Sequence, residues 1–131
     1  MQTNQEYKLW LKRADDNLRW AEGSLGDSFY PLTCFLSQQA VELVLKGYLY
    51  FKRVISPKAH DLPEILLECG KSGLKLGNKM SIQIERLSEY YLKSRYPDTM
   101  DEKLDNKKVA REALEYATEI VKKVKSSLPR A

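Results

Sequence analysis

The chain has 131 residues, of which 43% are hydrophobic and 31% charged, with a formal net charge of +4. This is the size of one ordinary domain that holds enough apolar residues for a core. A protein that coats nucleic acid over its whole surface would be more basic, but a local basic patch that meets phosphates is compatible with this charge.

Two helices are predicted in the first half of the chain. The first runs from about residue 5 to 23, because apolar residues recur every three or four positions and share one face. The second opens at Pro31, which suits a first helical turn, and runs to about residue 53. It is apolar on most sides, which is typical of a helix at the centre of a bundle.

Three further helices complete the predicted fold. A short one spans about residues 62–69, and a fourth covers about 79–94, ahead of Pro97. The fifth begins after Asn106, a good N-cap residue, and carries the most regular apolar stripe. The stripe consists of Ala110, Ala113, Leu114, Ala117, Ile120, Val121, Val124 and Leu128.

No segment indicates a convincing strand, so we predict an all-α fold. Four long helices joined by short loops favour an antiparallel up-and-down helical bundle, with one short helix added. We expect a single domain over residues 1–131, with its core at about 5–128.

Compartment, metals and cofactors are constrained mainly by what the sequence lacks. No apolar run approaches the ~20 residues of a membrane-spanning helix, and the start MQTNQEYKLW does not resemble a signal peptide. Cys34 and Cys69 lie in apolar helical surroundings, and with one histidine they do not make a zinc site. We therefore expect a cytoplasmic protein with two buried thiols, no membrane association, no metal and no cofactor.

The stretch RVISPKAHDLPEI, residues 53–65, contains His60, the only histidine, and allows two interpretations. In the first, Asp61 and Glu64 form a capping box on the third helix, His60 lies just outside it and Arg53 is a basic residue in a last helical turn. In the second, Arg53 holds a phosphate while His60 takes a proton from a ribose 2′-hydroxyl, which cleaves RNA without metal. Against this interpretation, one histidine supplies either base or acid and not both, although a dimer would bring two such sites together.

The stretch YYLKSRYPD, residues 90–98, is the second group of candidate site residues. Arg95, Tyr96 and Asp98 fall where the fourth helix breaks, with Lys93 nearby. Tyrosines stack on bases and arginines hold phosphates, so these residues suit nucleotide or RNA binding. Alternatively, Arg95 and Asp98 form a local ion pair at a helix end.

Two further sets of charged residues also leave alternatives open. Glu42 and Lys46 interrupt a long apolar run, and their spacing of four allows either an ion pair at a buried edge or polar groups that line a cleft. Lys122, Lys123 and Lys125 lie on the polar side of the fifth helix. They form either a solvated face or a ridge that follows phosphates.

Four motifs in this order resemble the HEPN domain over about residues 5–128. They are W-L-x-x-A-x-x-x-L from Trp10, C-F-L-S-Q-Q-A-V-E-L-V-L-K-G-Y-L from Cys34, A-H-D-L-P-E-I-L from Ala59 and S-R-Y-P-D from Ser94. Together, Q-Q-A-x-E-x-x-x-K, H-D-L and R-Y-P-D are fairly specific, whereas each alone is a weak signal.

The resemblance implies a bundle of four or five helices that often dimerises. Many HEPN proteins are small prokaryotic proteins encoded beside a minimal nucleotidyltransferase, which they bind. Some of these pairs are toxin–antitoxin systems in which HEPN is the ribonuclease, acting at an Arg-x4–6-His motif in the dimer cleft, and other members bind nucleotides.

Arg53 and His60 fit the spacing of that motif, with two departures from the ribonuclease members. Val54 replaces the polar residue that usually follows the arginine, and Leu62 stands where several members have the tyrosine of His-x-Tyr. In the H-D-L and R-Y-P-D branch, the ribonuclease motif is often degenerate.

The sequence therefore predicts a HEPN-domain nucleotide- or RNA-binding module that forms a homodimer and serves as partner subunit of a minimal nucleotidyltransferase. The alternative is a metal-independent ribonuclease toxin that uses Arg53 and His60 as catalytic residues. The residues predicted to face or border the bound nucleotide or RNA are Lys46, Arg53, His60, Arg95, Tyr96 and Asp98.

Overall fold

Five α-helices make up most of the chain in the structure, a computed structural model that describes residues 4–58, 60–93 and 104–129. A 3-10 turn at Asn4–Glu6 leads into the first helix. The helices are α1 (Tyr7–Gly26), α2 (Tyr30–Phe51), α3 (Leu62–Lys71), α4 (Asn78–Lys93) and α5 (Lys107–Ser126). Over the described residues there is no strand, and the predicted all-helical bundle with one short helix is confirmed.

The second helix, α2, is the centre of the bundle, since it packs against each of the other four helices. The three residues between α1 and α2 turn the chain back, so these two helices form a hairpin. Gly47 lets them approach closely, because a Cβ atom at this position would stand 2.9 Å from Cβ of Trp10. The predicted central place of the second helix is confirmed.

The fifth helix closes the core with the predicted apolar stripe. All eight residues of the stripe are buried, none more than 9% exposed. Asn106 is the N-cap, and its side-chain oxygen accepts hydrogen bonds from the backbone N–H groups of Lys108 at 2.8 Å and Val109 at 3.3 Å. Both the stripe and the cap of the sequence prediction are confirmed.

The end of α2 differs from the prediction. The helix ends at Phe51, and Arg53 lies beyond it in the left-handed region with a φ of +61°. Its N–H donates to the Tyr50 carbonyl at 3.0 Å, and the Val54 N–H donates to the Leu49 carbonyl at 2.9 Å. These two bonds define a Schellman motif, in which the left-handed position is usually glycine. The interpretation of Arg53 as part of a last helical turn is wrong.

The predicted capping box at the start of α3 is also wrong. Asp61 is the N-cap residue, but its side chain makes no capping hydrogen bond. The Asp61 backbone carbonyl accepts the N–H of Ile65 at 3.1 Å, which begins the helical bonding. Pro63 in the first turn has no N–H, so this end of the helix has one donor fewer to satisfy.

The two cysteines are buried thiols, as predicted. Cys34 and Cys69 are fully buried and not joined to each other, and Cys69 Sγ donates to the Leu45 carbonyl at 3.4 Å. Burial disfavours the charged thiolate and raises the pKa of each thiol to about 12. Neither is a reactive nucleophile at neutral pH.

Candidate functional site

A buried carboxylate on α2 organises the polar residues of the candidate site. Glu42 is 4% exposed. Its Oε2 accepts from Lys46 Nζ at 2.9 Å and lies 2.8 Å from Nδ1 of His60, while its Oε1 accepts from Gln38 Nε2 at 3.3 Å. A carboxylate withdrawn from water needs such partners, since burial without them is costly. We call these four residues the Glu42 cluster.

Helix geometry and the path of a connector together build this cluster. Gln38, Glu42 and Lys46 are spaced by four residues on α2, so their side chains lie one above another on the same face. His60 arrives from the segment between α2 and α3, eighteen residues after Glu42. The predicted ion pair of Glu42 and Lys46 is therefore present, and the connector adds a histidine to it.

The Glu42 cluster opens to solvent at one side. The Glu42 side chain is 5% exposed and that of Lys46 is 13% exposed, whereas the His60 side chain is 49% exposed. Because Glu42 holds Nδ1, the imidazole is fixed in orientation and Nε2 lies on the far side of the ring from the carboxylate. A histidine held in this way can donate to, or exchange a proton with, a group that approaches from solvent.

The interior around α2 contains further polar atoms. Among the described residues, no hydrogen-bond partner lies near Ser37 Oγ, or near the Oε1 atoms of Gln38, Gln39 and Gln83. An unsatisfied buried polar atom costs about 1–3 kcal/mol, and apolar residues of similar shape would avoid this cost. Polar residues in such places are typical of a site that needs polar groups.

Arg53, the other predicted catalytic residue, lies farther along the chain than Glu42 and Lys46, beyond the end of α2. The helix α2 ends at Phe51, nine residues after Glu42, and Arg53 follows this end. A helix rises about 1.5 Å per residue, so the Glu42 level and the helix end are about 13.5 Å apart. Arg53 therefore enters from beyond the C-terminal end of α2, whereas His60 is held on Glu42 in the middle of that helix.

The remaining predicted site residues have different outcomes. Lys46 and His60 are brought together on Glu42, as described above. Arg95, Tyr96 and Asp98 lie outside the described residues, so their role stays a prediction.

Sequence reasoning left Glu42 either as an ion-pair partner of Lys46 or as a group that lines a cleft, and it did not include Gln38 among the site residues. The signal that could have identified them was the spacing of four in Q-Q-A-x-E-x-x-x-K, which places Gln38, Glu42 and Lys46 on one helical face. Its interpretation as a site requires His60, whose position depends on the connector.

The described residues contain neither a metal-binding cluster nor a membrane-spanning helix. Within residues 4–58, 60–93 and 104–129, no group of three or more His, Cys, Asp or Glu side chains is placed to hold a metal ion. None of the described helices combines the length and the apolarity that crossing a lipid bilayer requires.

Comparison with known proteins identifies the class to which this fold and site belong. The HEPN domain model matches residues 7–127, so the chain belongs to the HEPN family. A protein of Methanocaldococcus jannaschii named "Putative toxin MJ1304" is 31% identical over 134 residues, which cover 92% of this chain and 87% of the relative.

Two solved structures share the fold. TT1696 from Thermus thermophilus is 30% identical with a TM-score of 0.87, and the match covers 96% of this chain and 100% of that one. ST0689, described as an archaeal HEPN homologue, is 26% identical with a TM-score of 0.73, covering 97% and 98% of the two chains. The resemblance predicted from the sequence motifs is confirmed.

Proposed function

We propose that this chain is a HEPN-domain module that binds nucleotide or RNA. The observation that carries the proposal is the Glu42 cluster, in which one buried carboxylate fixes Lys46 and His60 at the edge of the protein surface. An ammonium and an imidazole held in this way suit the phosphate oxygens and base edges of a nucleotide.

Arg53 extends this surface toward the end of α2. Its guanidinium can hold a phosphate through two parallel hydrogen bonds. Arg53 lies just beyond the end of α2 and His60 is held on Glu42, so both groups would contact phosphates of the bound RNA.

The residues of the R-Y-P-D motif belong to the same proposal. Arg95 would hold a phosphate, Tyr96 would stack on a base and Asp98 would accept a hydrogen bond from a base or ribose. Their support is the sequence motif that follows α4, together with membership of the HEPN family.

A homodimer is the second part of the proposal. Apolar residues recur along one face of α2, where Leu32 is 45% exposed, Leu43 is half-buried and Tyr50 is 37% exposed. Leu9 of α1 is 67% exposed, and it lines the same shallow pocket as Leu43. A second copy seated there would cover this apolar surface and bring two Glu42 clusters near each other, because Lys46 lies on the same face.

The partner role rests mainly on the family. We propose a minimal nucleotidyltransferase subunit as the partner, as the HEPN resemblance implies. Trp20 is 51% exposed and Phe29 is 59% exposed, so apolar surface remains available for a second protein.

A second candidate function is a metal-independent ribonuclease toxin. One specific observation favours it, namely the 2.8 Å contact between Nδ1 of His60 and Glu42, which orients the ring as a general base or acid requires. Arg53 would then stabilise the charged phosphate in the transition state. The name of the Methanocaldococcus relative agrees with this candidate.

One experiment separates the two candidates. Wild type, His60→Ala and the exposed-lysine control Lys79→Ala are incubated with labelled single-stranded RNA in EDTA, and binding and cleavage are both measured. The binding proposal predicts intact RNA and weaker binding by His60→Ala than by the control. Cleavage by wild type and control, but not by His60→Ala, would establish the ribonuclease, and absence of both binding and cleavage would contradict both candidates.

A further inference from the structure

A pocket of about 410 Å³ lies between the start of α1 and the end of α5, and this volume is within the range of small-molecule sites. Its floor is apolar and includes Tyr7 and Leu128, which are 4% and 7% exposed, together with the half-buried Leu11. These side chains belong to the core or pack against it, so the floor keeps its shape before a ligand arrives. The pocket can therefore cover the apolar part of a small molecule.

Three lysines surround this floor. Lys8 comes from α1, and Lys122 and Lys125 lie one helical turn apart on α5. The Nζ atom of Lys125 donates to Asp15 of α1 at 2.8 Å, which ties the two helices together beside the pocket. Among the described residues, neither Lys8 nor Lys122 has a carboxylate within ion-pair distance. Two positive charges without a counter-charge therefore border one apolar floor, and they attract an anion.

The pocket meets α2 on the side away from the Glu42 cluster. The ring of Tyr7 packs edge-on against the ring of Phe51, with 4.9 Å between their centres. Phe51 follows Glu42 by nine residues, or about two and a half helical turns, so the two side chains project from opposite faces of α2. A ligand in this pocket would leave the Glu42 cluster free, and its binding does not depend on the proposed function.

We infer that this pocket binds a small amphiphilic acid, with its carboxylate between Lys8 and Lys122 and its aliphatic body on the floor. An ion pair at a partly exposed site contributes little in water, so the two lysines alone would hold an inorganic anion only weakly. Burial of the aliphatic body supplies most of the affinity, and the lysines select the charged group. A nucleotide is a poor match, because its polar ribose, next to the phosphate, would lie on apolar side chains.

A larger pocket between α3 and α4 provides a matched control. Its volume is about 680 Å³, and it is lined by several leucines and by two lysines, Lys71 and Lys75. Lys71 lies 3.3 Å from Glu68, and Glu85 also lines this pocket. Because two carboxylates offset the two lysines, this pocket does not favour an anion. Removal of its lysines should therefore leave the binding of an amphiphilic acid unchanged.

The test is isothermal titration of the full chain with hexanoate, heptanoate and octanoate. In the wild type, each added methylene that the floor buries should tighten binding about fourfold. The double variant Lys8→Gln/Lys122→Gln should bind octanoate about tenfold more weakly and keep the same gain per methylene, because it removes charge and leaves the floor intact. The control Lys71→Gln/Lys75→Gln should keep the wild-type affinity, and thermal melts followed by circular dichroism show that both variants are folded.

Each other outcome overturns the inference. No octanoate binding by the wild type, or equal affinity for hexanoate and octanoate, would remove the apolar floor from the site. Equal losses in the two double variants would mean that only overall charge matters, and a loss in Lys71→Gln/Lys75→Gln alone would place the acid between α3 and α4. Inorganic phosphate or uridine 5′-monophosphate bound as tightly as octanoate, and lost in Lys8→Gln/Lys122→Gln, would make this a phosphate site and refute the amphiphilic acid.

Discussion

The helices α2 and α5 are similar in length but differ in what they bury. The stripe of α5 presents only apolar residues to the core, and the helix begins at a fully bonded cap, Asn106. In contrast, α2 also buries Ser37, Gln38 and Glu42, and it ends with Arg53 in a left-handed conformation. Stability alone explains α5, whereas it does not explain polar groups and backbone strain in α2. The difference supports the proposal that α2 carries the binding function.

The largest loss of stability is expected from a substitution in the apolar stripe of α5. Ile120 is fully buried, and Ile120→Ala should lower the free energy of unfolding by about 2–5 kcal/mol, because it leaves a cavity in the core. Urea unfolding measures this loss. The RNA affinity of the folded protein should stay at the wild-type value. A large loss of affinity would contradict the assignment of stability to α5 and of binding to α2.

The next largest loss of stability is expected from a substitution of Glu42, the buried carboxylate of the Glu42 cluster. Glu42→Ala removes the acceptor shared by Gln38, Lys46 and His60, and should destabilise the protein by about 1–3 kcal/mol. It should also lower RNA affinity, because Lys46 and His60 lose their common support. Urea unfolding and anisotropy titration measure the two quantities.

Glu42→Gln is the matched control for that change, since its amide oxygen keeps one acceptor in the same place. We expect it to lie between wild type and Glu42→Ala in both measurements. If Glu42→Ala were as stable as wild type and bound RNA equally well, the Glu42 cluster would have no part in the site.

The pH dependence of stability sharpens the comparison through two buried thiols, Cys34 within α2 and Cys69 of α3, which contacts α2 at Leu45. Cys34 and Cys69 have pKa values raised by burial from 9.0 to about 12. Between these limits the unfolded thiols lose protons and the folded ones keep them, so stability is complete below pH 9 and falls as pH rises. Unfolding in urea at pH 8 and pH 10.5 tests this, with Cys34→Ala/Cys69→Ala expected to lose less stability than wild type over that interval.

A substitution of Arg53, which follows the end of α2 in a left-handed conformation, should give a smaller change, and this change should be a gain in stability. Glycine adopts the left-handed conformation of position 53 freely, so Arg53→Gly should stabilise the protein by about 1 kcal/mol. The same change should weaken RNA binding, because it removes the guanidinium. A variant that is less stable than wild type in thermal unfolding would show that the Arg53 side chain contributes more stability than its backbone conformation costs.

The smallest changes in stability are expected from substitutions of the N-cap residues of α5 and α3. Asn106→Ala should cost about 1 kcal/mol, because the Asn106 side chain accepts two backbone N–H groups. Asp61→Ala should cost clearly less, because the Asp61 side chain makes no capping bond. Chemical denaturation of the two variants gives the comparison, and an equal loss would mean that Asp61 caps α3 in solution.

The sequence by itself determined the features that depend on residues a few positions apart. The five helices, the α5 stripe, the Asn106 cap and the Glu42–Lys46 pair all follow from helical periodicity or from contacts within one or two turns. The same local reasoning predicted a capping box at Asp61 and a helical Arg53. Both were wrong because the connector after α2 takes a path that local preferences do not fix.

Only the tertiary structure decided which distant segments meet. His60 lies on Glu42, because the connector folds back along α2. Lys8 and Lys122 share a pocket, because α1 packs beside the end of α5. Such contacts depend on how whole helices pack, and this packing is set by the summed burial of many side chains, not by the spacing within any one motif.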